Sequence, residues 1–175
     1  MIRFRLALLA LLLLTACGSG QRLAPGSPIY LADFRESQVS VTITLEEDAS
    51  GQVYLAALFT PEQGGHLYSK DIPATGVEGI GRPTLLELTS GSQLTATGEL
   101  SESVASVPLD GSPGLLVYPA GPVTLRLAVE LPEGEGWFDE QISLTYMACA
   151  DGSCFPPVVE KLVPVRVPGS AEVDG

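Results

Sequence analysis

Positive charge is scarce in this 175-residue chain. Nine Lys and Arg residues stand against 21 Asp and Glu, for a net charge of −12. A nucleic-acid surface is thereby excluded, because phosphates are bound by Lys and Arg that displace counterions. There is one histidine, His66, and no nucleophile-elbow sequence, so a Ser-His-Asp hydrolase has no footing. No window of eleven or more residues carries a good helical stripe, which argues against a helical domain. After the first 16 residues no apolar run is long enough to span a bilayer. Gly79 and Gly81 do not follow a strand and open a helix, so they make no phosphate loop. There is no internal repeat.

What is present is apolar residues, glycine and proline. Apolar residues make up 45%, which excludes a disordered chain, and 19 Gly with 14 Pro point to strands and turns. The length suits one domain or at most two small ones. Val39, Val41, Ile43 and Leu45 alternate with Ser40, Thr42 and Thr44, the period of a strand with one buried face. Residues 46–51 read as a turn, and 53–59 as a returning, more deeply buried strand. Weaker strands are expected at 85–88 and 94–97, residues 99–113 read as irregular and acidic, and 115–118 is a short apolar run. Alternation returns at Val123, Leu125, Leu127, Val129 and Leu131, then at Ile142, Leu144 and Tyr146, and last at Val163, Val165 and Val167. Eight or nine short strands with regular turn signals predict an all-β fold. The expected form is an antiparallel β-sandwich of immunoglobulin-like type, with a closed barrel as the second choice.

The N-terminal segment reads as an address. Arg3 and Arg5 precede the apolar run 6–14, which ends in Leu14-Thr15-Ala16-Cys17. That ending resembles the lipobox of bacterial lipoproteins. The resemblance implies cleavage before Cys17 and lipid attachment to it, which is sufficient for stable membrane anchoring. The expected organisation is a signal peptide at 1–16, a lipidated tether at 17–29, one domain at 30–168 and a frayed tail at 169–175. The expected location is the cell envelope, on the periplasmic side in a two-membrane bacterium.

With Cys17 assigned to lipid, Cys149 and Cys154 remain. An even pair in an exported protein is expected to be oxidised. Asp151-Gly152 would form the hairpin turn that brings the two together. Closing so short a loop contributes about 2 kcal/mol. The spacing alone therefore fits either a local staple or an exposed bond open to thiolate attack.

The segment from Thr145 to Pro157, with Tyr146, Cys149-Ala150-Asp151, Cys154 and Phe155-Pro156-Pro157, resembles the N-terminal periplasmic domain of the thiol:disulfide interchange protein DsbD. Gly65-His66-Leu67-Tyr68 and Val163-Pro164-Val165 are similar to two other segments of that family. The resemblance covers roughly residues 39–167. It implies an immunoglobulin-like fold and a redox pair that takes electrons from a thioredoxin-like protein and passes them to periplasmic thiol-disulfide proteins. On that pattern Cys154 is the nucleophile and Cys149 the resolving thiol. Tyr68, Tyr146, Asp151 and Phe155 would support the site. The family's shielding cap loop often carries an aromatic residue, whereas residues 96–116 here have none. Leu115 or Tyr118 takes that place, or the site is uncapped. Any donor must act in trans, because this chain carries neither a membrane domain nor a thioredoxin-like one.

Bland readings stand beside these. A lone His66 next to an aromatic is more often packing than catalysis. Cys149, Cys154, His66 and Met147 could form a soft site for Cu(I), but their spacing fits no zinc pattern, and no cofactor or metal is expected. Trp137-Phe138 reads as core or edge packing. A sandwich lipoprotein that binds a protein or envelope component, with Cys149–Cys154 as a structural bond, is the alternative function.

Overall fold

The computed structural model describes residues 27–62 and 64–173. Cys17, the apolar leader and most of the expected tether lie outside the described residues. No helix among those described is long and apolar enough to cross a membrane.

The fold is all β. The strands are β1 (Ile29–Glu36), β2 (Val39–Glu47), β3 (Val53–Pro61), β4 (His66–Leu67), β5 (Leu85–Leu88), β6 (Thr95–Ala96) and β7 (Ser101–Glu102). They continue as β8 (Val107–Leu109), β9 (Ser112–Val117), β10 (Val123–Glu130), β11 (Trp137–Tyr146), β12 (Ala148–Ala150), β13 (Ser153–Cys154) and β14 (Val158–Pro168). One antiparallel sheet runs β1-β2-β3-β10-β6, with β7 also on β10. A second runs β14-β11-β5. Their inner faces make the core. Val39, Val41, Ile43, Leu45, Val123 and Leu125 from the first sheet are fully buried, as are Ile142, Leu144 and Tyr146 from the second. This is the alternation that the sequence displays, and its apolar positions form the interior of a sandwich.

Four segments depart from the sequence reading. Residues 99–113, read as irregular, hold β7, β8 and the start of β9, short pairings with no period-two run to announce them. β1 begins at Ile29, inside the stretch read as tether, and pairs with β2 along its whole length. It carries no period-two signal because it is an edge strand of mixed exposure. In β3 the buried run covers Leu55, Ala56 and Ala57, but Leu58 is exposed, so burial is incomplete even on a central strand. The tail, expected to fray from Gly169, folds back as far as Val173. Gly169 N–H donates to Gly136 O, Ser170 N–H to Pro132 O and Ala171 N–H to Gly134 O, and a short helix α1 (Ser170–Val173) follows. Glu172 accepts from Gly136 N–H at 3.2 Å. Backbone donors of the tail find acceptors in the 132–136 turn, which holds the segment down.

The second sheet contains the longest hairpin of the described chain. β11 and β14 pair from Trp137↔Pro168 to Tyr146↔Val158. Beyond Tyr146 lie Pro156 and Pro157 on the returning limb. Proline has no N–H to give a ladder, so pairing with the main sheet stops there. The hairpin tip, β12 and β13, leaves the sandwich and joins β4 in a separate sheet ordered β13-β12-β4. A bridge from Tyr68 to Val117 extends that sheet to β9, and β9 pairs with β8. Ser69 N–H donates to Leu116 O and Tyr118 N–H to Leu67 O, which secure the join.

Leu144→Ala should cost about 2–5 kcal/mol, since it removes a fully buried side chain from the interface between the two sheets. Urea unfolding monitored by circular dichroism measures it, and a loss below about 1 kcal/mol would contradict the packing described.

Candidate functional site

The small sheet is two-faced. Leu67, Ala148 and Tyr118 point into the main core, and Phe155 packs against it. Their neighbours Tyr68, Cys149 and Val117 point the other way, into a second apolar cluster with Ile72 and Leu115. Alternation along each strand produces this division. The cysteines therefore lie on the outer face of the sheet.

Cys149 and Cys154 are joined by a disulfide with a Cα–Cα distance of 4.0 Å. They are direct register partners of β12 and β13, and Ala150 pairs with Ser153. The turn between is Asp151-Gly152, with φ of 50° and 74°. Two successive positive φ values make the type I′ turn that Asp-Gly favours, as the sequence predicts. Phe155 N–H donates to Ala148 O at 2.9 Å and locks the pairing just below the bond.

The two sulfurs are unequally placed. Cys149 is only 4% exposed, within the apolar cluster, whereas Cys154 is exposed. The Tyr68 hydroxyl bridges them, donating toward Cys149 Sγ at 3.4 Å and lying 3.7 Å from Cys154 Sγ. Burial raises the Tyr68 phenol above its ordinary value, which keeps it a neutral donor. Gly81 lies flat on the Tyr68 ring. A Cβ there would come within 2.9 Å of two ring carbons, and its φ of +81° also disfavours a side chain. Thr84 Oγ1 donates to Tyr68 O at 2.6 Å and fixes the backbone beneath.

Leu115 and Val117 of β9 share the cluster of Tyr68 and Cys149. Of the two substitutes considered for the missing aromatic cap, Leu115 is therefore on the side of the sulfurs. Tyr118 is in the main core, with its hydroxyl oxygen accepting from Lys70 N–H at 3.1 Å. Cover is partial, since it reaches Cys149 and leaves Cys154 open.

The other expected site residues separate. Tyr68 is against both sulfurs. Asp151 is exposed in the turn. Tyr146 is a core residue instead: its ring meets Phe59 edge-on at 5.5 Å and its hydroxyl donates to Glu36 O at 3.1 Å. Phe155 also serves the main core. Both flank the cysteines in sequence, but the pleat sends their side chains to the opposite face or out of the site sheet. His66 is brought next to the disulfide by strand pairing. It is the register partner of Cys149 across β4 and β12. The signal available was its position two residues before Tyr68, which on a strand means the same face.

Neither lysine is free to stabilise a thiolate. Lys70 Nζ pairs with Asp71 at 2.7 Å and Glu102 at 3.3 Å. Lys161 Nζ pairs with Glu36 at 2.9 Å and sits over the Phe34 ring. No group of three or more His, Cys, Asp and Glu among the described residues could hold a metal ion. Two surface depressions lie elsewhere. A groove of about 810 Å³ is lined by Tyr30, Trp137 and Arg166, and a cleft of about 520 Å³ by Glu46, Tyr54 and Arg126. Neither is lined by a cysteine. Compared with known proteins, the chain matches no family model, no curated protein and no solved structure.

With both lysines committed to carboxylates, reduced Cys149 and Cys154 should each titrate at or above the ordinary thiol value of about 8.5. Thiolate ultraviolet absorbance against pH in a Cys17→Ser background reads this directly. A thiol ionising near neutral pH would overturn it.

Proposed function

We propose that this protein is an extracytoplasmic thiol-disulfide exchange domain, similar to the N-terminal domain of DsbD, tethered to a membrane through lipid on Cys17. The observation that carries the reading is the unequal exposure of the Cys149–Cys154 bond: one sulfur is open at a hairpin tip, and the other is held beneath Tyr68. An exposed sulfur is where an attacking thiolate can approach, and a shielded partner leaves without being attacked itself.

The exchange runs in two steps. A thiolate of a thioredoxin-like donor attacks Cys154 Sγ in line with the bond. A donor–Cys154 disulfide forms, the Cys149–Cys154 bond breaks, and its electron pair leaves on Cys149 Sγ, which takes up a proton. The donor's second thiolate then attacks its own sulfur in the mixed disulfide and releases Cys154. The domain is reduced and the donor oxidised. The reverse sequence, begun by Cys154 on another protein's disulfide, passes the electrons on. The Tyr68 hydroxyl lies within reach of both sulfurs and donates to whichever carries the charge.

A purely structural bond fits this location less well. The hairpin is already held by its Asp-Gly turn and by the Phe155–Ala148 hydrogen bond. Closing its short loop adds only about 2 kcal/mol. The sandwich core owes nothing to it, because Cys149 belongs to the other cluster.

Equilibration in graded thiol buffers, with alkylated cysteines counted by mass, should give a midpoint between about −270 and −120 mV. A bond oxidised until below about −300 mV would instead make it a staple in a binding lipoprotein. Cys149→Ala should trap a mixed disulfide through Cys154, and trapping through neither cysteine would contradict the assigned nucleophile.

A further inference from the structure

One polar side-chain atom among the described residues is buried without a hydrogen-bond partner: Nε2 of His66. Its position is specific. His66 is directly opposite Cys149 on β12, and Cys149 is directly opposite Cys154 on β13. Directly opposed residues of antiparallel strands project from the same face. The imidazole and both sulfurs therefore form a row across three adjacent strands. The Tyr68 ring meets the imidazole edge-on at 6.1 Å and limits its movement. A buried nitrogen with no partner is costly, so its retention here calls for a use.

The resolving half of the exchange needs such a group. Cys149 is buried in an apolar cluster, and burial of that kind disfavours the charged form of a thiol. A thiol does not attack a disulfide; a thiolate does. Some group must take the proton as attack begins.

We propose that His66 Nε2 is the general base that removes the Cys149 proton when this thiol resolves a mixed disulfide at Cys154. The inference rests on the exchange reading above and names the base for one of its steps. The proton passes from Cys149 Sγ to His66 Nε2. The Cys149 electron pair forms the bond to Cys154 Sγ. The bond from Cys154 to the target sulfur breaks, and its pair leaves on the target as thiolate. In the opposite direction the imidazolium returns the proton to Cys149 as it departs.

Burial lowers the imidazole below its ordinary value, so it is neutral and able to accept a proton at pH 7. Ionisable groups near this face are Tyr68 just past β4, Cys149 on β12 and Cys154 on β13, with Asp151 exposed in the turn beyond; Glu62, in the turn before β4, is paired with Arg35. On the far flank of β4 the chain past Tyr118 contributes Pro119 and Ala120, which carry no charge. The base therefore works from its lowered value upward, and resolution slows only as pH falls through that value.

Dithionitrobenzoate separates the two steps in the reduced full chain carrying Cys17→Ser. The first release of thionitrobenzoate reports attack by Cys154, and the second reports resolution by Cys149. His66→Phe and His66→Gln should leave the first phase within about twofold and slow the second at least about tenfold at pH 7, a modest share of what general bases contribute. The pH profile of the second phase should move up to the range of the thiol itself. An unchanged second phase with an unchanged profile in both variants overturns the proposal. Should neither variant fold, the wild-type second phase must still bend at the pH where His66 titrates by NMR, and a bend elsewhere overturns it equally. The redox midpoint judges the exchange reading separately. A midpoint below about −300 mV sinks that reading, while the second-phase kinetics still decide whether His66 takes the proton.

Discussion

The alternation of side chains across one short antiparallel sheet is the constraint on which the rest of the site depends. β12, β13 and β4 together contain only seven residues, yet their pleat has two employments. Leu67 and Ala148 face inward and bind the sheet to the sandwich core. Tyr68 and Cys149, one position along, face outward into a cluster of their own. A slip of one residue of β4 against β12 would exchange the faces of β4. It would turn His66 toward the core and Leu67 away from it. The large inward Leu67 opposes that slip, so the core holds the register of the disulfide without touching it.

The sheet itself exists because the β11–β14 hairpin cannot remain regular to its tip. Pro156 and Pro157 interrupt the ladder where the hairpin leaves the sandwich. The freed tip turns and finds new partners in β4. Its turn is rigid, since Asp151 and Gly152 both adopt the left-handed conformation of a type I′ connection. The result is a disulfide held by backbone pairing on both of its strands, at the edge of a stable body. Reactive groups are commonly presented in this way, by a short loop on a rigid support.

Shielding of the bond is graded. The Leu115 and Val117 side chains and the Tyr68 ring enclose Cys149, and Gly81 permits the loop above to lie directly on that ring. Cys154 stays open. An enclosed sulfur is protected from attack but is also a poor thiolate, and the two lysines are committed to carboxylates elsewhere. The polar groups that strand pairing places nearest the bond are therefore neutral ones, the Tyr68 hydroxyl and the His66 imidazole.

Much of the sandwich was legible in the sequence, because a strand with one buried face declares itself by period two. Val39 to Leu45, Val123 to Val129 and Ile142 to Tyr146 did so, and the Asp-Gly dipeptide marked the hairpin that unites the cysteines. β1 was not legible, since an edge strand has no consistently buried face to write into its sequence. Nor was the fold of residues 169–173, because Gly169, Ser170 and Ala171 donate backbone bonds to a distant turn that no local pattern encodes. Sequence proximity misplaced Tyr146 and Phe155 beside the sulfurs, and it left His66 as ordinary packing. Which face each residue occupies is decided only when strands pair. The two cysteines and the turn between them were given by the chain; which cysteine is open, and which neighbours reach it, was decided by register between strands far apart in sequence.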